Sequence, residues 1–177
     1  VGAGFEAVLF VDTRCVEDAR TCVRTLTLDL PGQDGTYGIA ARRNYYGTSS
    51  HSNYVEAIKE VVVVLMMEKQ TAVEQLEQIL ELEGIDMIQW GGSDYSLNIG
   101  APDAAGSPPV KEMERRVIRT CLDKGIPPRA EISSPDEAAY YLDLGVRHFS
   151  LGTELFVIRD WMTTNGNQLR KRIQDYA

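Results

Sequence analysis

The run Val61-Val62-Val63-Val64-Leu65-Met66-Met67 is apolar throughout and ends on a carboxylate, Glu68. An unbroken apolar stretch of this length, with no alternation, suits a parallel strand buried on both faces. Parallel strands need helical crossovers, and the sequence around this run supplies them. Val8-Leu9-Phe10-Val11 reads as an earlier strand, followed by Val16, Ala19, Cys22, Val23 and Leu26 at helical spacing. After Glu68, Thr71 with Glu74 predicts a capping box. Behind it Val73, Leu76, Ile79 and Leu80 form one apolar stripe, with Gly84 as the stop. The next strand, Met87 to Trp90, precedes a helix with Met113, Val117, Ile118, Cys121 and Leu122 inward and Gly125 at its end. Arg129 to Ile132 is a fourth strand. Ser134-Pro135-Asp136-Glu137 is the sharpest helix start in the chain, and Gly145 closes that helix. His148 to Leu151 is a fifth strand, and a last helix runs from Leu155.

Five strands, each followed by a helix, predict an α/β fold with a parallel sheet. Two architectures share that pattern. One is an open doubly wound sheet; the other is an eight-stranded (β/α) barrel with three units preceding Val1, since a whole barrel takes about 250 residues. The chain has 177 residues, enough for one domain, 1–177, with a substantial core. It opens Val1-Gly2-Ala3-Gly4 and enters a strand almost at once, like the middle of a domain. Pro31 to Gly38 must be a loop, and the polar stretch onward to about Asn53, including Arg42-Arg43, reads as a long connection.

Parallel α/β folds place their sites at strand C-termini, where loops are free to vary. Two strands here deliver an acid at that end: Glu68, and Asp94 in Gly91-Gly92-Ser93-Asp94. A carboxylate pair without neighbouring cysteine or histidine suits a hard divalent cation, Mg²⁺, Mn²⁺ or Co²⁺, with water and substrate oxygens completing its shell. The plainer expectation is that Glu68 caps or pairs with the following helix and that Asp94 is an N-cap. Glycines at 91 and 92 allow backbone N–H groups to approach an anion, such as a substrate carboxylate.

Several motifs together resemble the HpcH/HpaI aldolase family: Glu68-Lys69 with Ala72-Val73-Glu74, Gly84-Ile85-Asp86, and Gly91-Gly92-Ser93-Asp94-Tyr95-Ser96 followed by Gly100. Arg129-Ala130-Glu131, Asp143 to His148, Gly152, Glu17-Asp18-Ala19 and Gly35 to Gly38 extend the likeness over nearly the whole chain. The resemblance implies a TIM barrel of which this chain carries about strands 4 to 8, with Val8 on the fourth. It implies a class II pyruvate aldolase that cleaves a 4-hydroxy-2-oxo acid to pyruvate and an aldehyde through a metal-stabilised enolate. Glu68 and Asp94 would be the metal ligands, and the backbone around Gly92, Ser93 and Asp94 would hold the pyruvate carboxylate. The family's acid/base histidine and carboxylate-clamping arginine would lie upstream of Val1. His148, ahead of the last strand, is expected to be structural, and His51 solvated. The family's loop has proline and leucine where this chain has Gly92 and Tyr95, and Gly-x-Arg-Gly where it reads Gly35-Thr36-Tyr37-Gly38. Relatives of similar fold imply alternatives: an acyl-CoA lyase, for which Arg42 and Arg43 would be the basic residues, or an oxaloacetate decarboxylase. A non-catalytic barrel fragment or assembly subunit is the third. The family also implies a homo-oligomer, a hexamer built from dimers, for which Trp161, Leu169 and Ile173 give the last helix an apolar side.

A net charge of −8 argues against a general nucleic-acid binder. Arg170-Lys171-Arg172, the one dense basic cluster, sits where cations suit a helix C-terminus. Cys15, Cys22 and Cys121 are odd in number, without C-x-x-C spacing; on one helix Cys15 and Cys22 would share a face but lie too far apart to bridge. A reduced, cytoplasmic setting is expected. No apolar run approaches a membrane span, and no leader is visible.

Overall fold

The computed structural model describes residues 1, 4–38 and 50–176. Arg42 and Arg43 fall outside the described residues, so the expectations placed on them are not addressed by the fold. Five parallel strands, β1 (Ala7–Phe10), β2 (Val62–Met67), β3 (Met87–Trp90), β4 (Pro128–Ile132) and β5 (His148–Leu151), pair in the order in which they occur. A doubly wound sheet reverses direction at a switch point. Strictly sequential order is that of a barrel wall, and the sheet is a curled half-barrel. The open-sheet alternative is thereby corrected.

Register explains the two faces. Met66 lies opposite Gln89, and Gln89 opposite Arg129. Side chains alternate along a strand, so Val64, Met66, Glu68, Gln89, Gly91, Arg129 and Glu131 belong to the concave face. Val63, Leu65, Met67 and Ile88 face outward onto the helices. There they are buried with Ala72, Val73, Leu76, Ile79, Val110, Val117 and Cys121. Burying each large side chain contributes about 1.5–3 kcal/mol, so the helix-facing side of β2 anchors the fold.

The helices are α1 (Val16–Leu26), α2 (His51–Lys59), α3 (Gln70–Glu74), α4 (Leu76–Ile79), α5 (Gly92–Asn98), α6 (Pro108–Asp123), α7 (Ala138–Asp143) and α8 (Glu154–Asp175). Four local expectations need correction. The chain onward to Asn53 is not all connection: α2 begins at His51, with the Ser50 hydroxyl accepting from the Asn53 N–H. Its buried Tyr54 and Ile58 lie one turn apart, too sparse a stripe to stand out among polar neighbours. The helix after β2 starts at Gln70, not behind a Thr71 cap, and breaks at Gln75 into α3 and α4. Ser134 flanks a 3-10 turn, Pro135–Glu137, and its side chain makes no cap bond; Glu137 Oε2 instead accepts from the Ser133 N–H at 3.4 Å. On α6 the buried side is Val110, Glu114, Val117, Ile118 and Cys121, while Leu122 is exposed and Met113 half-buried.

Gly84, Gly125 and Gly145 all take positive φ, as the expected stops require. His51 is exposed, as expected. His148 opens β5 opposite Arg129 but is exposed, so a packed structural role is not what the fold gives it. Cys15 is the residue before α1 rather than part of it, and all three cysteines are free. No helix among the described residues is long and apolar enough to cross a membrane. Helix α8 carries no buried residue, and Leu155, Ile158, Trp161, Met162, Leu169 and Ile173 are all exposed.

Candidate functional site

Glu68 follows the last residue of β2 and is only 4% exposed. A buried carboxylate needs hydrogen bonds or a compensating charge. One oxygen has its partner: Oε1 accepts the Asp12 backbone N–H at 2.6 Å. Asp12 sits just past β1 with φ of 61°, a left-handed conformation that aspartate tolerates better than most residues. The side chain of Asp12 is held in turn by Lys69 Nζ at 3.0 Å and Arg14 Nη2 at 2.8 Å. The Lys69 hydrogen bond, with that of Arg14, lowers the Asp12 pKa below its ordinary value. Lys69 is thus engaged with Asp12 and does not neutralise Glu68.

The other oxygen, Oε2, receives no hydrogen bond from any described residue. It faces Gly91, at the end of β3. A methyl group at Gly91 would lie 2.7 Å from Glu68 Cβ, 2.9 Å from Oε2 and 2.9 Å from Met66 Sδ. Glycine is required here because the backbone must pass directly against the carboxylate. From Gly91 the chain enters α5 at once. Gly91 is its flanking residue, with the Tyr95 N–H donating to the Gly91 carbonyl, and Asp94 lies in the first turn. Asp94 therefore does not cap the helix. Its exposed carboxylate has no hydrogen bond or ion pair with another described residue.

The α5 segment is fixed from below. The Trp90 and Tyr95 rings pack 4.7 Å apart, and the Ser96 hydroxyl donates to the Gly92 carbonyl at 2.7 Å. Asn98 Oδ1 accepts the Gln70 N–H at 2.8 Å, tying the far end of α5 to the start of α3. Ser93 is exposed. The structure thus brings Glu68 against Gly91, and Gly92, Ser93 and Asp94 follow within one helical turn. The expectation that both acids are consumed by helix capping is corrected: neither caps anything.

A cleft of about 400 Å³ opens beside this turn, lined by Gly91 to Asp94, Met66 and Gln89 on one side and by Arg129 and Glu131 on the other. Glu68 does not itself line it; Gly91, which does, stands against Glu68. β3 and β4 pair only at Ile88–Pro128 and Gln89–Arg129, so the sheet parts above that point and the cleft reaches α6. There it meets Glu114, buried to 2% exposure, which accepts from Lys111 Nζ at 2.8 Å, Tyr141 Oη at 3.0 Å and Tyr140 Oη at 3.2 Å. Burial first, and Glu114 second, raise the pKa of both tyrosines. Sequence reasoning passed over Glu114, although its spacing from Val110, Val117, Ile118 and Cys121 placed it on the buried side of α6. It also gave no role to Gln89 or Arg129, whose inward direction follows only from strand register.

The donor chemistry fits a hard cation. Glu68 Oε2 and the Asp94 carboxylate are oxygen donors without partners among the described residues, just past the C-terminal ends of adjacent strands. Among the described residues no three His, Cys, Asp or Glu side chains group to hold a metal, so an ion here would have two protein ligands and several open positions.

Comparison with known proteins follows the same line. A family model described as HpcH/HpaI aldolase/citrate lyase matches residues 1–160. The chain is 29% identical over 161 residues to the 2-keto-3-deoxy-L-rhamnonate aldolase of Escherichia coli (strain K12), a match covering 90% of this chain and 59% of the relative. It therefore spans about three-fifths the length of the curated relatives it matches. A solved HpcH/HpaI aldolase/citrate lyase family protein from Burkholderia cenocepacia J2315 superposes with a TM-score of 0.79 at 20% identity, covering 98% of this chain and 66% of that one. The citrate synthase SbnG superposes with a TM-score of 0.75 at 19% identity, covering 97% and 65%. At such identities the structural likeness speaks for the fold alone.

Proposed function

Because this chain belongs to the HpcH/HpaI aldolase/citrate lyase family, we propose that it carries the metal-binding part of a divalent-metal-dependent aldolase, the five strands corresponding to about strands 4 to 8 of a TIM barrel. The substrate would be a 4-hydroxy-2-oxo acid, and the products pyruvate and an aldehyde. The observation that supports this most is Glu68 Oε2, without a hydrogen bond from any described residue, facing Gly91, where a Cβ would lie 2.9 Å from it, with Asp94, unpartnered among the described residues, in the first turn of the helix that follows. Glu68 and Asp94 would hold Mg²⁺, Mn²⁺ or Co²⁺, which when bound would supply positive charge to stabilise the negative charge that develops as the C3–C4 bond breaks.

The chain's own residues do the positioning. The Asp12 N–H keeps the Glu68 carboxylate in one orientation, so that Oε2 points away from β1. Backbone N–H groups of Gly92, Ser93 and Asp94, at the start of α5, would receive the pyruvate carboxylate, and the packed Trp90–Tyr95 pair holds that turn in place. None of the described side chains in the cleft is assigned the removal of the 4-hydroxyl proton. The test is pyruvate release from a panel of 4-hydroxy-2-oxo acids with and without added Mg²⁺ or Mn²⁺. Metal-dependent release that disappears in both Glu68→Ala and Asp94→Ala is the expected result; full activity in both variants ends the proposal. Cleavage of an acyl-CoA or decarboxylation of oxaloacetate is the second reading, favoured by a family description that sets citrate lyase beside aldolase. Direct product analysis separates the two.

A further inference from the structure

We infer that Asp12 is a positioning residue for Glu68: its carboxylate holds the Lys69 ammonium off the Glu68 carboxylate and so keeps Glu68 Oε2 open to a cation. This rests on the reading of Glu68 and Asp94 as metal ligands. Asp12 engages two consecutive residues at once, with different atoms. Its backbone N–H donates to Glu68 Oε1 at 2.6 Å, and its Oδ1 pairs with Lys69 Nζ at 3.0 Å.

The Lys69 side chain is only 12% exposed. An ammonium so far out of water must be paired with an anion. Two carboxylates are in competition for it. Asp12 has it; Glu68, the preceding residue, has an Oε2 without a partner among the described residues. Through Asp12 the ammonium stands no more than about 10 Å from the Glu68 carboxylate, roughly a Debye length, so screening does not isolate one from the other. An ammonium resting on Glu68 would occupy the oxygen that a metal ion needs and set like charge against it.

Asp12 is itself held in place to prevent this. Arg14 grips both of its oxygens, Nη2 on Oδ1 at 2.8 Å and Nε on Oδ2 at 3.3 Å. The Arg14 N–H donates in turn to Asp18 Oδ2 at 3.0 Å, which ties the turn to α1. Arg14 and Asp12 are both more than half exposed, so their pair adds little stability; what it supplies is orientation. If Asp12 lost its charge, Arg14 would return to water, whereas Lys69 would turn to Glu68.

The test is a double-mutant cycle read by isothermal titration of the full chain with Mn²⁺: wild type, Asp12→Asn, Lys69→Met and the two together. Asparagine keeps the N–H on Glu68 and tolerates the left-handed φ, so only the charge is removed. Asp12→Asn should bind Mn²⁺ about tenfold to a hundredfold more weakly, the range for a group behind a metal ligand. Lys69→Met should change affinity little in the wild type, yet restore most of the loss in the Asp12→Asn background. Simple addition of charges predicts the same factor for Lys69→Met in both backgrounds. Melting midpoints near that of the wild type identify folded variants, and Asp12→Gly, at ease at this φ, repeats the cycle if the asparagine variant does not fold. Wild-type affinity in Asp12→Asn, or an equal factor for Lys69→Met in both backgrounds, overturns the inference. If Mn²⁺ binds the wild type, is lost in Glu68→Gln and the cycle shows no coupling, only the role of Asp12 falls. If the wild type binds no Mn²⁺, the metal reading falls and this inference with it.

Discussion

Glu68 is held by one carboxylate oxygen and, among the described residues, has no partner at the other, and that asymmetry is the most consequential detail at the residue scale. Glu68→Gln keeps the acceptor for the Asp12 N–H while removing the charge, so the fold should survive and Mn²⁺ affinity should drop by about a hundredfold or more, as should pyruvate release. Asp94→Asn should behave alike, with a smaller effect on thermal stability because Asp94 is exposed. Gly91→Ala tests the packing. Its methyl group would meet Glu68 within 3 Å, so the carboxylate or the backbone must shift, at a cost of about 1–3 kcal/mol in stability and with weaker metal binding. Wild-type metal affinity in Gly91→Ala would show that the contact does not position Glu68. These two acids were legible in the sequence because Glu68 ends an apolar run and Asp94 follows a strand through a pair of glycines. Gln89 and Arg129 were not, because a strand's inward residues are known only once its register is fixed.

Among elements, α6 shows how a buried helix face can carry polar chemistry. Glu114 bridges α6 to α7 through Tyr140 and Tyr141. Glu114→Leu should destabilise the protein by about 2 kcal/mol, since it leaves two hydroxyls and Lys111 without their acceptor; a chemical melt coinciding with that of the wild type would count against the bridge. The same layer sets an alkaline limit. Burial pushes the Cys121 thiol up to about 12, from 9.0 for an unperturbed thiol, and raises Tyr141 as well. A group whose pKa is higher when folded favours the folded state fully below its unfolded value and loses that contribution as pH rises through the folded one. Thermal stability should therefore fall between about pH 9 and pH 12, less steeply in Cys121→Ala, and a thiol reagent at pH 8 should leave Cys121 unmodified in the native protein. The strands and the apolar helices were readable from period alone. Helix α2 was not, because only Tyr54 and Ile58 are buried along its nine residues. The exposed side of α8 carries Trp161, Leu169 and Ile173, and these residues suit a contact between copies of the chain. Replacing all three by glutamate should lower the mass of any oligomer seen by light scattering; an unchanged mass would place the contact elsewhere.

At the scale of the whole molecule, five sequential parallel strands turn their carboxyl ends toward one side, and everything the site needs from this chain arrives there. Alternation of strand and helix left the doubly wound sheet and the barrel equally open, since both obey it. The order of pairing separates them, and pairing order is a property of long-range contacts that local periodicity does not encode. The proposed activity requires Glu68 and Asp94, at this end of the sheet, to share a single divalent ion. Anomalous scattering from crystals soaked in Mn²⁺ tests it directly. One peak is expected about 2.0–2.6 Å from an oxygen of each carboxylate, lost in Glu68→Gln. A peak bound to one acid alone, a site elsewhere in the molecule, or full occupancy in Glu68→Gln would contradict it.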